Sequence, residues 1–227
     1  MTIAELLTLA RGIYLSEGIG DYLWIDSLAL SMFSEAQRQA CNRTDFIYEE
    51  FTIPLVSGTA SYALSNRITR LQDVRFQDVT VTKRSIAELD HTNSTWRSDT
   101  LMSGKDCSYA IRGDKIRFAP APAIADAGLL VTLECSVMPA TSFISMSDTP
   151  VIPDESHREL IHWVLHEAFA QVDIQKSAFY LEKFNMAFGR YVSAQVRQHQ
   201  LENGLSLVST PFNYGASSRR DNVSDNW

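Results

Sequence analysis

The sequence predicts an α+β fold. A discontinuous helical bundle, built from both ends of the chain, carries an inserted small antiparallel β-sandwich or barrel module and ends in an extended C-terminal arm. Three observations predict it. Apolar residues recur at spacings of three and four before residue 45 and again after residue 154. Between those limits lie short β-branched runs separated by turn residues. After residue 203 the periodicity stops, and Ser and Asn dominate. The parts are therefore 1–45 (first helices), 46–153 (β module), 154–203 (last helices) and 204–227 (arm).

The first helix opens on a capping box, Thr2 with Glu5, and carries Ile3, Leu6, Leu7, Ala10, Ile13 and Tyr14 on one face. Gly18-Ile-Gly20 interrupts it. A second helix follows, with Asp26 as its expected cap and Leu28, Met32, Phe33, Ala36 and Ala40 as its apolar face. Neither is long enough to stand alone in water. In the β region, FTIPLV and SYAL flank the turn-rich SGTAS, and residues 68–82 are rich in β-branched side chains. Ser85 and Glu88 form a second capping box, expected to start a single helical turn before Asp90. CSYAIR and KIRF read as a hairpin turning at Gly113-Asp114, closed by Pro120 and Pro122. Residues 129–137 (LLVTLECSV) are the last strong strand. Helix resumes at Asp154, the expected N-cap, with Leu160, Ile161, Val164, Leu165, Ala168, Phe169 and Val172 facing the core. A final helix over 175–202 carries Ala178, Leu181, Phe184, Phe188 and Tyr191, and Gly204 is placed to end it.

Composition excludes several functions. With 27 acids against 20 bases the chain carries a formal charge of −7, the wrong sign for gripping DNA by its phosphates. Acids outnumber bases in each of the first three parts, while the arm is balanced. No apolar run reaches the ~20 residues of a membrane span, and the N-terminus lacks the charge pattern of a signal peptide. Cys41, Cys107 and Cys135 are odd in number and far apart, which suits free buried thiols. No nucleophile elbow, phosphate-binding loop, dinucleotide fingerprint or kinase signature occurs. His162 and His166 share a helix face four residues apart, the one spacing that suggests a metal. The residue after His162 is Trp163, however, where a zinc-protease motif needs Glu. His157 and His199 converge on nothing in the sequence. No catalytic residue, metal ligand or cofactor is expected.

Two features point to partners instead. Trp163 lies on the far side of its helix from the apolar stripe, and Ala170 and Ile174 follow at i+7 and i+11. A second seam on an amphipathic helix suggests a subunit interface, where tryptophan is enriched. The alternative is a tryptophan lying flat on the surface or packed under the β module. The arm carries Phe212, Tyr214 and Trp227 with Arg219 and Arg220 between them, anchors for a segment that orders on binding.

The order of features carries a resemblance. Trp24-Ile-Asp26 precedes a helix with Ser34-Glu-Ala-Gln; a strand enters SGTASYAL; Trp96 follows Leu89-Asp90. Then come Tyr109, Ile116-Arg-Phe-Ala-Pro120-Ala-Pro122, an LxVxxE/C strand, Met138-Pro139, and Pro150-Val-Ile-Pro153 leading to Ser156-His157-Arg-Glu-Leu. Over about residues 1–200 this resembles the head-to-tail adaptor (connector) proteins of tailed bacteriophages. It departs at Gly104-Lys-Asp-Cys-Ser-Tyr109, where a Gly-x-Pro is expected before the Tyr. The resemblance implies a structural, non-catalytic virion protein of the head–tail neck, assembled in the bacterial host cytoplasm. It implies a dodecameric homo-oligomeric ring beneath the portal protein that receives a tail or nozzle protein. It also implies a C-terminal segment that reaches the portal, and a channel through which DNA passes without specific binding. The competing readings are a tail or baseplate accessory, of interaction or carbohydrate-binding type, and a metal-dependent hydrolase using His162 and His166.

Overall fold

In a computed structural model of the chain, residues 1–15, 25–92, 96 and 107–202 are described, and of 13–15, 92 and 194–202 only the backbone course. Helix α1 (Ile3–Leu9) has the expected capping box: Thr2 Oγ1 accepts from the Glu5 amide at 3.3 Å, and Glu5 Oε2 accepts from the Thr2 amide at 3.0 Å. The other free amides of its first turn are met from far along the chain. Ile3 donates to the Asp148 carbonyl and Ala4 to that of Met146, each at 2.9 Å. A π-helical stretch, Ala10–Leu15, continues α1.

Helix α2 (Asp26–Arg43) begins one residue earlier than its sequence suggests. Ile25 is the cap residue and Asp26 the first helical one. The Asp26 carboxylate pairs with Arg11 at 3.1 Å, so it is engaged across the helices instead of capping its own. It remains in the first turn, where the helix dipole favours an anion. Leu28, expected in the core, is exposed; the buried face is Ala29, Phe33, Ala36, Gln37, Ala40 and Cys41.

Eight strands among the described residues form two four-stranded sheets. The first contains β1 (Tyr48–Pro54), β8 (Leu130–Val137), β3 (Ile68–Phe76) and β4 (Val79–Thr80), in that spatial order, all antiparallel. The second contains β2 (Ser61–Ala63), β7 (Lys115–Ala119), β6 (Ser108–Arg112) and β5 (Thr82–Lys83). Strands β1 and β2, adjacent in sequence, thus belong to different sheets. Gly113, at φ +61, turns the β6–β7 hairpin as expected. A second tight hairpin, β3–β4, turns on Gln77 and Asp78, both at positive φ, the pairing that a right-twisted ribbon requires. The expected antiparallel pattern fails once: β5 pairs parallel with β6. A parallel neighbour needs a crossover rather than a turn, and the chain between them includes α3 (Ile86–Thr92). That helix keeps its Ser85–Glu88 capping box and runs past Asp90, longer than the single turn anticipated. Apolar residues of both sheets, among them Val74, Phe76, Leu133, Val137, Ile116 and Phe118, form one buried cluster.

After β8 a strap over residues 138–153 leads to a short 3-10 helix, Asp154–Glu159, and then to α4 (Leu160–Phe169). Asp154 is not a side-chain cap: Pro153 holds that position, and its carbonyl takes the Ser156 amide at 2.8 Å, which tightens the turn. The final helix, α5 (Ile174–Glu202), is capped by Asp173, whose Oδ1 accepts from the amides of Gln175 (3.1 Å) and Lys176 (3.0 Å). Gly204 lies outside the described residues. The helices from both ends of the chain share one core that includes Ile3, Leu6, Phe33, Leu160, Leu165, Phe184 and Phe188. Ala36 and Ala40, lacking side-chain bulk, let α2 pack closely on α4. Met1–Val192 forms one compact unit.

Candidate interaction surfaces

His157, which pointed at nothing in the sequence, is a buried polar side chain with a partner on each ring nitrogen. It is 0% exposed. Its Nε2 lies 2.9 Å from the Ile152 carbonyl, which can only accept, so Nε2 carries the proton. Nδ1 is then an acceptor, and the Met1 amino group donates to it at 3.1 Å. One imidazole thus ties the first residue to the Pro150–Pro153 stretch. The strap is held elsewhere as well. Gln37 Oε1, buried in α2, accepts from the Val151 amide at 2.8 Å, and Ser34 Oγ accepts from Phe143 at 2.9 Å. Asp148 Oδ2 accepts from Ile144 and Ser145, and these bonds hold its carboxyl below the usual range. Arg67 grips Glu49 with two bonds (2.6 and 3.1 Å) and also donates to the Met138 carbonyl. Beside the strap is a groove of about 520 Å³. Ile144, 88% exposed, and Val151 stand at its edge.

The predicted seam on α4 has a different geometry. Trp163 is 9% exposed and packs inward, with ring centroids 5.2 Å from Phe184 and 5.4 Å from His166 and the Arg43 guanidinium 5.7 Å from its ring. It lies neither flat on the surface nor under the β module, but within the helical core among α2, α4 and α5. Helix α4 ends at Phe169, Ala170 is its exposed C-cap, and Ile174, 78% exposed, already belongs to α5. The three are not one stripe, because Asp173 caps a new helix and breaks the spacing. The outward apolar residues lie instead on α5. Phe179 and Met186, seven apart, project opposite its buried face of Ser177, Phe184 and Phe188. Lys176, Lys183 and Arg190, again seven apart, run alongside, with Lys183 Nζ 4.9 Å above the Phe179 ring.

The histidine pair is occupied by the chain itself. His162 Nε2 sits 3.3 Å from Glu159, and the ring stacks on Tyr180; burial lowers its pKa, with Glu159 opposing that shift. His166 Nδ1 meets the Ser177 hydroxyl at 2.8 Å and its carbonyl at 3.1 Å. Among the described residues no group of three potential ligands could hold a metal ion. All three cysteines are buried and none is in a disulfide. Cys135 lies in β8, while Cys107 precedes β6 by one residue. Burial pushes the Cys41 thiol up to about 12 and the Cys135 thiol to about 11. Trp96, singled out with Leu89-Asp90, donates from Nε1 to Asp90 at 2.8 Å. Trp24, the Gly18–Gly20 break, the 104–106 loop and the arm residues Phe212, Tyr214, Arg219, Arg220 and Trp227 lie outside the described residues. No described helix is long and apolar enough to cross a membrane.

A family model, that of the SU10 adaptor protein, matches residues 1–207. The chain belongs to the SU10 adaptor protein family. This is a family of phage head-to-tail adaptors, so the resemblance read from the order of motifs is met, and with it a structural role as a virion component. No curated protein matches the chain. The match spans both sets of helices and the whole β region and stops before Phe212. Within this adaptor, the motif from Pro150 to Leu160 acquires a physical reason: its histidine is the buried pin between Met1 and Ile152. Sequence reasoning quoted the motif but missed the pin, because Met1 and His157 are 156 residues apart.

Proposed function

We propose that the chain is the head-to-tail adaptor subunit of a tailed phage. Copies close a ring, dodecameric as the family resemblance implies, beneath the portal, join it to a tail or nozzle protein, and continue the DNA channel. The observation that carries this reading is the family match over residues 1–207. In it the parts 1–45 and 154–203 form the bundle, 46–153 is an inserted β-sandwich that meets tail components, and 204–227 is the portal-binding arm. That arm acts through Phe212, Tyr214, Arg219, Arg220 and Trp227. Subunit contacts involve Ala170 and Ile174 together with the outward Phe179 and Met186, and Trp163 backs that surface by packing on Phe184. The net charge of −7 favours passage of DNA over its retention. Assembly takes place in the host cytoplasm, and the subunit ends in the virion neck.

Electron microscopy of the full-length protein mixed with its portal is the direct test. A ring seated on the portal is expected; failure of the two to associate would overturn the reading. Deleting residues 205–227 should leave a folded protein that no longer binds portal, and undiminished binding would remove the arm from the proposal.

A further inference from the structure

Among the described residues the β module has two oppositely charged outer faces. Residues facing the shared apolar cluster alternate with residues pointing away, so the outward set of each sheet follows from strand register. On the first sheet, Glu50 lies directly across from Glu134, and Glu134 across from Asp73. Three carboxylates therefore stand in a row over three strands, about 5 Å from one strand to the next. Arg75 is the cation among them, bonded to Asp73 at 2.9 Å and Glu134 at 2.8 Å, and these acids raise its pKa. On the second sheet, Arg112 lies directly across from Lys115, and Arg117, two residues along β7 from Lys115, faces Ala110 and Ser61. Arg117 spreads its guanidinium 4.7 Å above the Trp96 ring, and its buried Nε has no hydrogen-bond partner among the described residues. None of these three cations forms an ion pair among the described residues. They line a cavity of about 360 Å³ walled by Trp96 and Ile86, with Asp114 as the acid at its margin.

Like charges directly opposite one another destabilise a sheet, and this module sets them so on both sheets, with opposite signs. We infer that the two faces are the halves of one contact between neighbouring copies: the Glu50–Glu134–Asp73 row of one subunit docks on the Arg112–Lys115–Arg117 patch of the next. The apolar cluster lies between the two sheets, so the patches face away from each other. A contact between two different patches is heterologous, the type that closes rings. Among the described residues each patch spans two or three strands and carries an excess of about two charges, of opposite sign. This inference rests on the ring proposed above and specifies what joins its β modules.

The test uses full-length protein, with portal added where assembly needs it, followed by native mass spectrometry. Assembly of the unaltered chain should weaken about tenfold between roughly 50 and 500 mM salt. The pair Arg112→Glu/Lys115→Glu makes both faces acidic, and Glu50→Lys/Glu134→Lys makes both basic. Each alone should require about tenfold more protein to assemble, whereas an equimolar mixture should recover rings of alternating mass. Either folded pair assembling as readily as the parent, or a mixture of two folded, deficient pairs staying dispersed, would overturn the contact. If a pair fails to fold, the salt series decides, and salt-independent assembly overturns it. A parent that forms no ring with portal refutes the ring itself; a ring that both pairs leave intact refutes this contact alone.

Discussion

Replacing His157 with leucine is the sharpest probe of how the two ends of the chain are held together. Leucine fills a similar volume, so the cavity contribution is small and the loss falls on hydrogen bonding. Two bonds disappear, Nε2 to the Ile152 carbonyl at 2.9 Å and the Met1 amino group to Nδ1 at 3.1 Å. The histidine is fully buried, so water does not replace it. The Ile152 carbonyl loses its donor inside the core, which costs about 1–3 kcal/mol, and the Met1 ammonium, part-buried and open to rehydration, adds about 1 kcal/mol. The sum is about 2–4 kcal/mol. For a chain of this size that lowers the thermal midpoint by on the order of 10 °C. Differential scanning calorimetry of the parent, His157→Leu and His157→Gln tests it. Glutamine has one donor and one acceptor at a similar reach and should recover part of the loss. A leucine variant melting within about 2 °C of the parent would show that the pin contributes nothing, and the reasoning from burial and bonding would fail.

Other outcomes follow from single sites. The folded-state pKa of His162 lies below its ordinary value of 6.5 because burial disfavours the imidazolium. As pH falls below that value the unfolded chain takes up the proton first, so stability is full above about pH 7 and declines with acidification. Guanidinium midpoints measured from pH 7.5 to 5 should show that slope, and His162→Asn should flatten it. Gln77 and Asp78 occupy positive φ in the β3–β4 turn, where Asn-Gly fits better. The double change Gln77→Asn/Asp78→Gly should stabilise by about 0.5–1 kcal/mol in urea unfolding. Cys41 and Cys135, buried and with raised pKa values, should react with a disulfide reagent at pH 8 only after unfolding; rapid labelling of native protein would contradict their burial.

What the sequence disclosed was local. The boxes Thr2–Glu5 and Ser85–Glu88 and the Gly113 turn form between residues a few positions apart, and each is present in the structure. Trp163 was legible as unusual but not as buried. Its surroundings come from α2 and from α5 folding back, and helical phase alone extends a stripe through residues that Asp173 reassigns to another helix. The charged faces were invisible for a similar reason. Glu50 and Glu134 look dispersed until strand register places them opposite each other, and the charge of −7 hides a basic patch within an acidic total. His157 required knowledge of both ends at once.

The Met146 and Asp148 carbonyls that stitch α1, and the His157 that meets Met1, are synthesised long after the helix they hold. The first two helices emerge early, yet the partners of their apolar stripe, Leu160 through Phe188, are made more than a hundred residues later. At bacterial elongation rates that is an interval of roughly ten seconds. The strands from Tyr48 to Val137 are complete before it ends, so the β module can fold first and bring the strap back to waiting helices. Throughout that interval the apolar residues of the first helices, among them Ile3, Leu6 and Phe33, lack the C-terminal half of their core.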